Sequence, residues 1–181
     1  MLNDLLEEAW KELKDATTLK GHPFRFCSLA TAGNIENIMQ RTVILREITE
    51  SKTLIFYTDK RSGKVNQIKI NPFGSVLFYN PKKSLQLIIK GEIEIIVRGE
   101  NWGDHKSKIE GKSTNDYNSK LSPGEAVKNP FILNRSDELN FSLLEFKPLS
   151  IEYLKLKNNT NHLRAVFNLN EDNWEETFLV P

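Results

Sequence analysis

The sequence predicts an α+β fold: an antiparallel β-barrel with an amphipathic N-terminal helix and a short helix after the third strand. Three observations lead there. Eight or nine short segments rich in β-branched and aromatic residues follow one another from Phe24 onward, most of them separated only by tight-turn residues. A single stretch of helical period precedes them. Only one helix-like insertion interrupts the first strands, so the strand–helix alternation of a parallel sheet is missing. No internal repeat or low-complexity linker divides the chain, and residues 1–181 are expected to form one domain.

Residues 2–16 place Leu2, Leu5, Leu6, Ala9, Trp10 and Leu13 at helical spacing, which leaves Glu7, Glu8, Lys11, Glu12 and Lys14 for the remaining positions. Residues 1–20 are therefore expected to be a helix docked on the protein's own core, ended by Gly21-His22-Pro23. Phe24–Ala30 and Ile35–Arg46 read as a hairpin turning at Gly33-Asn34, and Thr53–Tyr57 as the next strand. A short helix is expected over Ser62–Ile70, with Ser62 as N-cap, Val65 and Ile68 as its apolar face and Asn71-Pro72 as its stop. Ser75–Tyr79 and the long Leu85–Val97 follow, the second with Gly91 at a bulge or bend. Residues 100–140 are polar and rich in turn formers, a variable segment with one or two short helices. Leu139–Phe146, Ile151–Leu156, His162–Asn168 and Glu175–Val180 close the chain as strands.

Composition excludes several classes. A net charge of +1 gives no footprint for nucleic acid or an acidic membrane as the main partner. No apolar run approaches the length of a membrane span. The one cysteine, Cys27, cannot form an internal disulfide, and no secretory leader precedes the first charged turns, so a cytoplasmic, reduced setting is expected. Cys27 itself reads as buried core. The three histidines and this cysteine lack metal-ligand spacing, and no nucleophile elbow or P-loop is present.

The chemistry concentrates in two stretches. Arg41-Thr42-Val43-Ile44-Leu45-Arg46 is an apolar strand bracketed by arginines and spans about 16 Å, close to the length of a mononucleotide. Its alternation puts Arg41 and Arg46 on opposite faces, so they should not share one job. Tyr57-Thr58-Asp59-Lys60-Arg61-Ser62-Gly63-Lys64 runs from a strand into a basic turn and a helix. It offers the hydroxyls of Thr58 and Ser62 and the cations of Arg61 and Lys64 where a phosphate fits.

These stretches, with Asn71-Pro72 ahead of a strand ending in Phe78-Tyr79 and Gln86 five residues before Gly91, resemble the pyridoxamine 5'-phosphate oxidase-like proteins, which are FMN-binding split β-barrels. The order and spacing hold from about Phe24 to Ile96. They return more weakly in His162-Leu163-Arg164 and in Trp174 with Leu179-Val180-Pro181. The resemblance implies FMN as cofactor, with its phosphate gripped by Arg41 and Lys64 and with Arg61, Ser62 and Thr58 as nearby donors. It also implies that Thr42, Val43, Ile44, Leu45 and Arg46 lie along the flavin ring, that Tyr57 belongs to the same site, and that Gln86 and Arg164 reach the flavin. Arg46 and His162 then fall on the substrate side as the catalytic candidates, and Ser122 closes on the phosphate from the second subunit of a homodimer with FMN at its interface.

Lys108 falls where the vitamin B6 oxidases hold the substrate phosphate, but the tyrosine and serine that accompany it there are Asp104 and Lys112. A substrate-gripping arginine is Thr160, and a tryptophan of the oxidases is Leu154. The resemblance is therefore to a divergent branch: an oxidoreductase that keeps the cofactor and takes a small molecule other than vitamin B6, or a flavin-holding or sensing protein without turnover. Two further classes stand beside these. Phe56, Tyr57, Phe78 and Tyr79 could form a stacking platform for single-stranded nucleic acid, or the barrel could hold deazaflavin or haem.

Overall fold

In the computed structural model, which describes residues 1–34, 37–111, 113–158 and 161–181, the elements follow in the order α1 (Leu2–Thr18), β1 (Phe26–Ala32), β2 (Ile38–Ile48), β3 (Leu54–Asp59), α2 (Gly63–Ile70), β4 (Phe73–Asn80), β5 (Leu85–Ile96), α3 (Glu100–Ile109), β6 (Phe141–Lys155), β7 (Leu163–Asn170) and β8 (Asn173–Leu179). All strand pairs are antiparallel. The order β3-β2-β1-β4-β5-β6 closes on itself through β3 and β6 to give a six-stranded barrel, and β7 and β8 extend from the far half of β6. This is the split-barrel arrangement that the sequence predicts.

The barrel interior holds Leu29, Val43, Leu45, Phe56, Phe78, Leu87 and Phe146, all at positions of one strand parity. Helix α1 adds Leu5, Ala9, Leu13 and Ala16 to the same core, and each fully buried leucine contributes about 2 kcal/mol. Cys27 is buried there as well, and burial pushes its thiol up to about 12, so it is a core residue. A smaller cluster of Ile55, Ile109, Tyr117, Phe141 and Leu143 lies on the other face of the β3–β6 wall, under α3.

Two expectations need correction. Glu12 is not on a solvated face: its carboxylate is 1% exposed and takes hydrogen bonds from Lys83 and, at 3.1 Å, from Asn80 Nδ2, with His22 Nε2 at 3.4 Å. A buried carboxylate persists only when paired, and the β4–β5 turn supplies the pair. Beside it Glu8 accepts from Tyr153 and Lys155, both at 2.7 Å; burial opposes ionisation of Glu8, but these hydrogen bonds hold it below the usual carboxylate range. The helix is thus fixed by charge as well as by apolar packing.

The second correction concerns the expected break between Phe146 and Ile151. Pro148 suggests a stop, because it cannot donate to a ladder. The chain instead runs through as one fifteen-residue strand, β6, and absorbs the proline at a bulge: Gly91 opposes Pro148 while Lys90 opposes Ser150. Gly91 does mark the bend, as expected, but the extra residue, Leu149, is on the partner strand. The smaller differences are at strand ends, and Phe24 sits in a 3-10 turn, Pro23–Arg25, rather than in β1.

Candidate functional site

Arg41 lies opposite Leu29 in the β1–β2 ladder and shares the inward parity of Val43 and Leu45, so its side chain stays at the end of the barrel wall. Its Nη1 donates to the Leu29 carbonyl at 3.1 Å and to Thr31 Oγ1 at 2.7 Å, and Nη2 donates to Gln67 Oε1 at 3.2 Å. Lys64, in the first turn of α2, donates to Thr58 Oγ1 at 2.9 Å and Ser62 Oγ at 3.3 Å. Ser62 is the N-cap residue, but its hydroxyl faces Lys64 and Thr58 and makes no capping bond. The hydrogen-bond partners of both cations among the described residues are neutral. Burial first and the Arg41 charge second push the Lys64 ammonium below its ordinary 10.5, with Asp59 opposing; burial likewise lowers Arg41. Two part-buried cations acting on each other, ringed by hydroxyls, form a cradle suited to a dianion.

The depressed Lys64 has a signed consequence. Between its folded value and 10.5 the unfolded chain holds more protons than the folded one, so ligand-free stability rises with pH across that window. Urea midpoints taken at increasing pH are expected to climb for the wild type relative to Lys64→Met. Affinity for a phosphate ligand should fall over the same window, since the ligand needs the ammonium.

Arg46, of opposite parity, sits at the β2–β3 register shift. Its guanidinium lies 4.9 Å from the Tyr57 ring centroid, and its Nε is buried without a partner. Tyr57 Oη is 2.7 Å from Nδ1 of His105, a histidine of α3 only 2% exposed, whose Nε2 is 3.7 Å from Glu47. Burial first and Lys108 second lower His105, which is therefore neutral near pH 7, and burial raises Tyr57. Lys108 is paired with Glu47 at 3.2 Å, and Asp104 is exposed next to His105. Lys112 lies outside the described residues, as does Thr160.

Gln86 and Arg164 lie in one cross-strand row on the outer face, with Leu154 between them: Tyr79, Gln86, Leu154 and Arg164 follow one another across four strands. Arg164 is paired there with Glu152 at 2.9 Å. Thr42 and Ile44 face the same side, while Val43 and Leu45 point into the core. Other predicted positions are not brought to the cradle. Arg61 is engaged by Asp59 at 2.7 Å and by the Ser119 and Lys120 carbonyls, which tie the turn to the 113–140 segment. Ser122 lines a cavity of about 400 Å³ in that segment. His162 precedes β7 and so does not share a strand face with Arg164; it lines a cleft of about 710 Å³ with Phe178, Leu179 and Val180. Its Nδ1 accepts from the Lys157 amide at 3.2 Å, which leaves Nε2 as the donor of the neutral ring. Phe56 and Phe78 are interior, so the proposed stacking platform for nucleic acid does not exist.

The fold is a closed barrel with two cations at its wall, an arrangement suited to a phosphate-bearing ligand. The chain belongs to the family described as pyridoxamine 5'-phosphate oxidase, FMN-binding domain, whose model matches residues 7–97, and FMN is its cofactor. The chain is 29% identical over 170 residues to a pyridoxine/pyridoxamine 5'-phosphate oxidase of Aliarcobacter butzleri, covering 85% of this chain and 78% of that protein. It is 24% identical to the corresponding oxidase of Christiangramia forsetii, covering 98% and 87%. Among solved structures, an FMN-binding protein of Nostoc punctiforme related to pyridoxamine 5'-phosphate oxidase superposes with a TM-score of 0.77 at 21% identity, covering 96% of each chain. PhzG of Burkholderia lata superposes with 0.76 at 19% identity, covering 99% and 92%. These last two likenesses bear on the fold.

Thr31, Gln67 and His105 were not among the predicted residues. Gln67 could have been found, since it stands three residues after Lys64 on one helix. Thr31 and His105 come from elements whose approach to the site is tertiary, and nothing local marks them.

Proposed function

We propose that the chain is a homodimeric FMN-dependent oxidoreductase acting on a small molecule other than a vitamin B6 phosphate. The observation that carries this is the cradle: Arg41 and Lys64 are part-buried cations whose hydrogen-bond partners among the described residues are all uncharged, and burial first and the Arg41 charge second lower Lys64. Arg41, Lys64, Thr58 and Ser62 hold the phosphate. The backbone of 42–46 and the outer-face residues Gln86 and Arg164 line the ring's position, and Ser122 belongs to the 113–140 segment, to which Arg61 ties the β3–α2 turn and which would reach a second subunit. FMN supplies two-electron redox chemistry when bound. The chain's own residues bind, orient and move protons. Arg46, stacked on Tyr57, places a positive charge on the substrate side. Tyr57 and the neutral His105 share one proton in a hydrogen bond, and His162 offers an Nε2–H to a substrate oxygen.

Two features support a substrate outside vitamin B6. Lys108 is neutralised by Glu47, and Asp104 adds a negative charge next to it. A neighbour with the same fold, PhzG, has been solved with tetrahydrophenazine-1-carboxylic acid, which is not a B6 compound. The paired Lys108 also favours a second reading, a flavin-holding protein without turnover. The dimer is supported by the apolar side chains exposed on the barrel's outside, among them Phe26, Ile38, Phe73 and Tyr79, a surface that an isologous partner would cover. No helix among the described residues is long and apolar enough to cross a membrane, and a reduced cytoplasmic setting fits the buried thiol of Cys27.

The test is the visible spectrum of the purified protein with and without added FMN, run with gel filtration. Flavin bands that comigrate with a dimer support the reading, and anaerobic bleaching by a candidate donor separates turnover from holding. A protein that takes up no flavin overturns it.

A further inference from the structure

Arginine carries five N–H donors. Among the described residues three of those of Arg41 are engaged, two on Nη1 and one on Nη2. What remains is Nε–H and one Nη2–H, a pair on adjacent nitrogens that can meet two oxygens of one anion. The acceptors that engage the other three are the Leu29 carbonyl, Thr31 Oγ1 and Gln67 Oε1.

Their chemistry is the informative part. Thr31 and Gln67 are 2% and 4% exposed. Thr31 serves Arg41 only as an acceptor, so its own proton goes to Gln67 Oε1, 2.6 Å away. Gln67 Oε1 thus accepts from both Thr31 and Arg41, and the amide nitrogen donates to the Asn37 carbonyl at 2.8 Å. Every bond in this chain has one permitted direction, so the amide cannot turn over without placing its NH2 against the guanidinium. A carboxylate at position 67 could hold Arg41 equally well, and would neutralise it. The residue there is the uncharged isostere.

We infer that Thr31 and Gln67 are positioning residues that set cofactor selectivity: they hold Arg41 through neutral acceptors, and so leave it a full charge and two donors for a terminal phosphate. The inference rests on the FMN site proposed above. Thr31 and Gln67 govern the preference for FMN over riboflavin, which lacks the phosphate, without themselves needing to touch the ligand.

The experiment compares dissociation constants for FMN and riboflavin, by flavin fluorescence, in the wild type and in Thr31→Val, Thr31→Ser and Gln67→Glu, with melting temperatures recorded for each. Thr31→Val is expected to weaken FMN by about tenfold and Gln67→Glu by about a hundredfold, as charge-assisted hydrogen bonds are misdirected or the cation is neutralised. Riboflavin affinity should change by less than about threefold in both, because no anion is involved. Thr31→Ser keeps the hydroxyl and should stay close to the wild type. A variant that unfolds lowers both affinities together, and in that case the remaining variant decides the matter. An FMN-to-riboflavin ratio unchanged in folded Thr31→Val or Gln67→Glu overturns the role of Thr31 and Gln67. A wild type that binds neither flavin overturns the FMN site itself, and this inference with it.

Discussion

Replacing Arg41 and Lys64 together by alanine is expected to abolish FMN binding while leaving the barrel folded. Each side chain gives charge-assisted hydrogen bonds worth about 1.5–3 kcal/mol to a bound anion, so the pair accounts for about 3–6 kcal/mol, a loss of at least about a hundredfold in affinity. The fold should tolerate the change. Lys64 is held below its ordinary value by burial and by Arg41, which means the two cations are unfavourable for the ligand-free protein. Removing Lys64 leaves the hydroxyls of Thr58 and Ser62, 3.2 Å apart, to satisfy each other. Titration of FMN into the double variant, beside a urea melt, checks both halves. Wild-type affinity in a folded double variant would place the phosphate elsewhere.

The largest effect on stability is expected from Gly91→Ala. A Cβ at this position would lie 2.2 Å from the Lys147 carbonyl oxygen and 2.6 Å from Phe146 Cε1. The first is backbone of the paired strand, at the bulge where Gly91 opposes Pro148, and it cannot move away without opening the β5–β6 ladder. Overpacking against flexible side chains costs about 1–3 kcal/mol, and here the obstacle is rigid, so a loss of at least about 3 kcal/mol is expected in the urea-derived unfolding free energy. Gly63→Ala is the matched control. Nothing lies within 4 Å of a Cβ there, and the residue opens α2, so alanine should be neutral or stabilise by up to about 1 kcal/mol. Similar losses in both variants would contradict the close approach at Gly91.

The comparison of the two glycines shows what a sequence discloses. Gly91 was readable as a bend because a lone glycine in a long apolar strand has few other reasons to be there, whereas the residue displaced by the bulge, Leu149, has no local signature. The cradle was largely readable, since Thr58, Ser62 and Lys64 lie within seven residues and Arg41 stands out as a cation in an apolar strand. Its support was not: Thr31 is an ordinary strand threonine until the β1–β2 register brings it to Arg41. Glu12 failed for the same reason. Helical periodicity assigns a face to each residue but says nothing of a turn seventy residues downstream that carries Asn80 and Lys83 to meet it. Arg61 shows the other side of local reading, because the turn that supplies the cation also supplies a carboxylate, Asp59, that pairs with it.

Strand β6 has a consequence for how the chain is made. Its first half seals the barrel against β3, and its second half carries β7, so one late segment completes two structures. Until residues 141–155 have left the ribosome, β3 and β5 each present a row of unpaired amides and carbonyls with no strand to cover them. The nascent protein therefore passes through a stage of open edges, and the long wait for distant pairing makes closure slow. During synthesis, this interval is when the chain is most exposed to misassociation and has most need of a chaperone.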